Sequence, residues 1–266
     1  MAGPLTNRVD RLGRSALQRI AWVPAAAEVV LRTVATPVWR NPSTRQVQLE
    51  LARRQVLFTG LHALPMVTVI AFVVGCTLII ESLPTVPKIG AESMLGTIWV
   101  HAIVREIGPL LAGLIVTGRS GGAVAADLGC MRAGGEITAL KAMAIDPFAM
   151  LVIPRILGMT AATMALTVYL ILFTIGSGVA VAVAAPWITG DVLIYSLVGA
   201  LELKDLSLAL FKGLLFGLAI SSIACQRGLE VADAITDVPL AVGTTVVRCI
   251  IALVLMDGML SLLWLL

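Results

Sequence analysis

The chain has 266 residues, of which 59% are hydrophobic and 13% charged, where soluble domains run at roughly 45–50% apolar and about 25% charged. That composition excludes an ordinary soluble domain, and the net charge of +3 is too small to argue for a nucleic-acid partner. Cys76, Cys130, Cys225 and Cys249 have no Cys-x-x-Cys or metal spacing and read as small apolar packing residues.

Residues 1–60 are too charged to span a bilayer and too apolar for a plain tail, with Trp22 and Trp39 among arginines, which suits a segment lying in the membrane interface. Nine of the 19 basic residues fall here: Arg8, Arg11, Arg14, Arg19, Arg32, Arg40, Arg45, Arg53 and Arg54. By the positive-inside rule the N-terminus is cytoplasmic. An Arg-rich, acid-poor start also suits an organelle transit peptide, whereas no secretory signal fits, because Pro24 to Glu28 follows no adequate apolar run. After Asn41-Pro42, Ser43 is a candidate cap for a helix with Val47, Leu51 and Phe58 on one face, although Arg54 shares that face.

The remainder, 61–266, reads as one all-α integral membrane domain. A bilayer core takes about 20 apolar residues per helix. No charge lies between Arg54 and Glu81 or between Arg155 and Asp191, and three further stretches are long but interrupted. The expected spans are about 61–83, 93–117, 156–185, 206–225 and 238–266, with stops at Pro84, Pro87 and Pro186. Five spans put the C-terminus outside and return the loop between the second and third spans to the cytoplasm. Arg119, Arg132, Lys141 and Arg155 in that loop agree. The outer loops hold Lys88 and Lys204 with Glu81, Glu92, Asp191, Glu202 and Asp205, and are acidic on balance.

The second span contains "HAIVREIGP", which carries Arg105 and Glu106 where the bilayer should be. Ionisable groups cost several kcal/mol there, about 2.5 to over 10 depending on the method, and normally face the bundle interior or a cavity. Helix neighbours sit about 100° apart, so the two need not neutralise each other and each calls for its own partner. Pro109 lacks the N–H that would bond the Arg105 carbonyl. With His101 one turn earlier, these groups form a polar collar. It reads either as a pocket for something both polar and apolar, or as a packing ion pair with another helix, for instance through Asp257.

Small residues follow at four-residue spacing, Gly118, Gly122 and Ala126, and Gly113, Thr117 and Gly121, which suits close helix approach. "GRSG" also reads as the G-x-S-G of an intramembrane serine enzyme using Ser120. A nucleophile needs a base within about 3 Å, and His101 is roughly 28 Å up the same helix. There is no H-E-x-x-H and no P-loop, so any ATP must be bound by another chain. Within the glycine-rich segment 118–147, the helical pattern breaks at Gly134-Gly135. It resumes over "EITALKAMAIDP", placing Glu136, Leu140 and Met143 on one face of a short helix, with Glu136 in the first turn.

The ordered series "REIGP" (Arg105 to Pro109), "GRSGGAVAADLGCMRA" with Asp127-Leu128-Gly129 and Met131, then Glu136, Asp146-Pro147 and Pro154-Arg155 resembles the MlaE/YrbE family, with a weaker echo in "VGTTVVR" at Val242 to Arg248. These are permease subunits of MCE-associated ABC transporters, and the likeness covers about Pro42 to the C-terminus. It implies a homodimer of five-span protomers in a bacterial inner membrane, preceded by an interfacial helix. A cytoplasmic ABC ATPase binds the ATP, so the chain itself carries no cofactor, and a periplasmic MCE-domain protein completes the assembly, with room for a small STAS-type accessory subunit. The cargo implied is lipid, typically glycerophospholipid, held at Arg105, Glu106, His101 and Pro109. Coupling to the ATPase is implied at Glu136, Leu140 and Met143, with Arg119 and Asp127. The sequence departs from the family in "IESLPTVPK", where Glu81 stands in for a usual glutamine, and in Glu136-Ile137, where Glu-Gln is usual. A serine enzyme and a non-transporting scaffold of an envelope complex are the alternatives.

Overall fold

The computed structural model describes residues 22–35, 42–85, 95–184, 190–232 and 234–265. Arg8, Arg11, Arg14, Arg19, Arg40, Lys88 and Glu92 and the stops at Pro87 and Pro186 lie outside them. The described residues form helices and no strand: α1 (Trp22–Ala35), α2 (Pro42–Gly60), α3 (Leu64–Thr85), α4 (Leu95–Trp99), α5 (Gly108–Val116), α6 (Gly122–Ala133), α7 (Glu136–Ala142), α8 (Ile153–Ala184), α9 (Gly190–Ala200), α10 (Leu203–Leu229) and α11 (Val238–Leu265). Five continuous helical stretches are long and apolar enough to cross a membrane, as the sequence leads one to expect: Arg45–Ser82, Gly96–Ala133, Phe148–Ala184, Leu203–Leu229 and Ile235–Trp264. The protein is a multi-pass membrane protein.

Two helix boundaries differ most from the expected ones. The helix that carries the first span does not begin at 61. α2 runs into α3 through one 3-10 turn, Leu61–Ala63, set between Gly60 and Pro65, which bend the helix without ending it. α2 starts at Pro42, a favourable first position since proline has no N–H to orphan. Its buried positions are Gln48, Ala52 and Thr59, while Val47, Leu49 and Phe58 are exposed and Leu51 is half-buried. The apolar residues point away from the bundle, the reverse of a soluble amphipathic helix.

The second difference lies in the charged span. The second span does not stop at 117 but continues to Ala133 through two π-helical stretches, Val100–Ile107 and Thr117–Gly121, that flank α5. Glycine weakens an isolated helix by about 1 kcal/mol. Here the small residues are paid back by tight packing: a Cβ on Gly113 would meet Leu253 and Phe216 at 3.2–3.3 Å, on Gly121 would meet Ile220 at 3.3 Å, and on Gly122 would meet Val242 at 3.2 Å. Gly118 is the exception, with open space around it. The centre of the bundle is the pair α8 and α10. At Gly217 they approach so closely that a Cβ would lie 2.6 Å from the Thr160 Cα.

Candidate functional site

α10 is 27 residues long, about 40 Å at 1.5 Å per residue. Asp205 lies in its first turn, and Lys212 lies about 10 Å further in. Arg105 and Glu106 meet these residues, so the charged cluster lies in the half of the bundle remote from α7.

The two adjacent charges do not pair with each other. Arg105 donates through Nε, at 2.6 Å, to Oδ1 of Asp205, and its Nη2 is 2.6 Å from the same oxygen. Asp205 is 1% exposed, and its second oxygen accepts the backbone N–H of Glu202 at 3.2 Å, so one carboxylate caps α10 and holds the arginine. Glu106 faces Lys212, whose Nζ donates to Glu106 Oε2 at 3.0 Å, Asp257 Oδ1 at 2.8 Å and Ser261 Oγ at 2.9 Å. The same ammonium lies 2.8 Å from the Arg105 carbonyl, which Pro109 has left without its usual donor. Four acceptors surround three N–H bonds, which is enough to hold a lysine with no exposed surface. Ser261 lies 2.8–2.9 Å from both Glu106 oxygens and 2.9 Å from the Asp257 carbonyl, and its single hydrogen serves one of them at a time.

Two cations and three carboxylates carry a formal charge of −1 when all are ionised. The buried members satisfy one another, and the access lies at the edges. The Glu106 side chain is 43% exposed and that of Arg105 22%, and Arg105 Nη1 has no partner among the described residues. A ligand reaching this cluster would meet a half-open carboxylate beside a guanidinium already oriented by Asp205.

His101 is not part of the cluster. It is exposed, with Nδ1 2.9 Å from the Thr97 carbonyl. It stands in a π-helical stretch, where about 4.4 residues per turn replace 3.6, so the one-turn register with Arg105 does not hold. Asp257 was legible only as a packing partner and Asp205 only as a loop acid, and Lys212 and Ser261 were missed. The signal was present: Lys212 is the sole charge in 206–225 and Asp257 the sole charge in 249–266.

At the other end, α7 is shorter than expected, ending at Ala142. Gly135 enters it at φ +77°, a conformation glycine adopts without strain, and Ala144 leaves it at φ +58°. Glu136 is exposed, Leu140, one turn on, is half-buried beside buried Ile137, and the 61%-exposed Met143 is the residue that ends the helix. Arg119 is exposed in its π-helical stretch. Asp127 pairs with Arg155, whose Nη1 also donates to the Leu151 carbonyl at 2.8 Å, tying α6 to the third span across the segment that holds α7. Asp146 Oδ1 accepts the Phe148 N–H at 3.0 Å and caps that third span. Glu81 is exposed.

Ser120 has no exposed surface, and its Oγ makes no hydrogen bond among the described residues. Among the described residues no base lies within hydrogen-bond reach of it. Ser120→Ala is expected to leave thermal stability in detergent unchanged or raise it by up to about 1 kcal/mol, since a buried unpaired hydroxyl is lost, and to leave function intact. Lost function with normal assembly would revive the enzyme alternative.

The fold and the site define a class: a polytopic helical membrane protein whose ionisable groups are gathered between its spans. Residues 52–263 match the family described as Permease MlaE, and the chain belongs to that family. It is 33% identical, over 68% of its length and 70% of theirs, to a probable ABC transporter permease protein of Rickettsia typhi. It is 28% identical to the chloroplastic protein trigalactosyldiacylglycerol 1 of Arabidopsis thaliana, over 89% of this chain and 65% of that one. A shorter match, 28% identical over 38% of this chain and 39% of the other, is to the intermembrane phospholipid transport system permease protein MlaE of Haemophilus influenzae.

Proposed function

We propose that this permease is the membrane subunit of an ABC transporter that moves phospholipid between membranes, with its headgroup site at Arg105 and Glu106. The observation that carries the reading is the asymmetry of the cluster: Lys212 and Asp205 are saturated and buried, while Arg105 and Glu106 keep open edges. A phosphate fits the free guanidinium nitrogen, and an ammonium or hydroxyl donor of the headgroup fits the Glu106 carboxylate. The family and the relatives' names support the class of cargo. The ATP would be hydrolysed by a cytoplasmic partner docked on α7 at Glu136 and Met143. Asp127, Arg155 and the helical stretch around Arg119 would pass its movement into the second span. A homodimer in the inner membrane with a cytoplasmic N-terminus, an MCE-domain protein on the far face and an accessory STAS-type subunit complete the proposed assembly.

Glu106 is half-exposed, so Glu106→Gln should preserve the fold. Phospholipid co-purified with the Glu106→Gln protein, quantified by mass spectrometry, is expected to fall severalfold at unchanged oligomeric state. Unchanged lipid occupancy would sink the headgroup assignment.

A further inference from the structure

A second lipid-shaped feature lies far from Arg105, on the outer flank where α2 crosses α8. It is a groove of about 560 Å³ whose walls are apolar, with Leu49 and Val56 from α2 and Leu157 and Ala161 from α8. Arg45, Gln48 and Arg53 stand on its lining. Leu157 follows Arg155 by two residues, so the groove opens at the α7 end of the third span, where an apolar span gives way to charged residues. α2 also exposes the apolar Val47, Leu49, Leu57 and Phe58.

One observation points to an occupant, and a second ties the groove to the third span. The first is charge: Arg45 and Arg53 lie eight residues apart on α2, about 12 Å along the axis, a gap that two extended arginine side chains can close upon a phosphate. Arg53 has only a loose contact with Glu50, 3.5 Å between largely exposed side chains. The second is Gln48. It is 5% exposed, and its Nε2 donates to the Ala149 carbonyl at 2.9 Å, which fixes the amide's orientation. Its Oε1 is then buried with no hydrogen-bond partner among the described residues. Gln48 itself lines the groove, so its bond to Ala149 ties the groove wall to the start of the third span.

We infer that the groove holds a membrane phospholipid with an anionic headgroup, bound in place rather than carried. Arg45 and Arg53 take the phosphate, and one acyl chain lies along Leu49, Val56, Leu157 and Ala161. Basic pockets at the cytoplasmic ends of membrane helices bind anionic headgroups in this way. Because Gln48 also holds Ala149, at the start of the third span just after α7, the bound lipid would brace α2 against the segment that carries α7. The site does not depend on what Arg105 and Glu106 bind.

The test uses the full chain in phosphatidylcholine nanodiscs doped with phosphatidylglycerol, with retained lipid read by native mass spectrometry. Wild type should keep one phosphatidylglycerol per chain in preference to phosphatidylcholine. Arg45→Gln and Arg53→Gln should each lower its retention roughly fivefold. Ala161→Phe, which fills the groove and leaves every charge in place, should also lower it, whereas Arg54→Gln, exposed and off the groove, should not. Excess inorganic phosphate should fail to displace the lipid, since it has no acyl chain. Equal retention in all the variants, an Arg54→Gln loss as large as the others, equal retention of phosphatidylcholine, or displacement by phosphate would each overturn the assignment.

Discussion

Lys212→Met is expected to be among the most destabilising single substitutions in this protein, lowering unfolding stability by about 3–5 kcal/mol. Lys212 has no exposed surface and neutralises Asp257, whose side chain is 12% exposed, while holding one oxygen of Glu106 and the carbonyl freed by Pro109. Methionine fills the space but leaves one carboxylate enclosed in hydrocarbon without its cation, and the low dielectric makes that the dominant cost. Adding Asp257→Leu should recover most of the loss, because replacing a buried ion pair by apolar residues of similar size is often neutral. The Glu106 side chain, 43% exposed, can turn toward solvent and needs no such compensation. Thermal or denaturant unfolding of the two variants in one detergent decides it. A Lys212→Met protein as stable as wild type would show that the cluster is not a coupled unit.

How much of this was legible in the sequence follows from the range of each interaction. The number of spans and the separate partners of Arg105 and Glu106 rest on local hydrophobicity and helical geometry, and the helix-based argument that adjacent charges face different ways led to two different partners, Asp205 and Lys212. The expected end of the second span at 117 rests on where the apolar stretch gives way to Arg119 and the charge-dotted segment beyond it. The small residues read as positions of close helix approach, but that Gly113, Gly121 and Gly122 meet Leu253, Ile220 and Val242, residues over 90 positions away, is invisible from the segment itself. The π-helical register that separates His101 from Arg105 has no sequence mark either. Lys212 and Asp257, by contrast, were readable: each is the lone charge of an apolar stretch, which is the same argument that singled out Arg105.

Asp205 offers a way to separate the stability of the cluster from its proposed role. Asp205→Ala removes both the α10 cap and the anchor of Arg105, and is expected to cost about 3 kcal/mol, of which the cap is about 1. Arg105 is 22% exposed and can partly rehydrate, which keeps the loss below that at Lys212. Asp205→Asn retains a carbonyl oxygen for the Glu202 N–H and removes only the charge, so it should be milder. Combined with Arg105→Gln, it restores a neutral hydrogen-bonded pair, and the double variant should regain stability relative to Arg105→Gln alone, a coupling readable from a double-mutant cycle. If Arg105 serves only packing, lipid occupancy should return together with stability. If its guanidinium meets a headgroup phosphate, the double variant should be stable yet remain depleted of phospholipid, because no rearrangement of two amides supplies the positive charge that the phosphate requires.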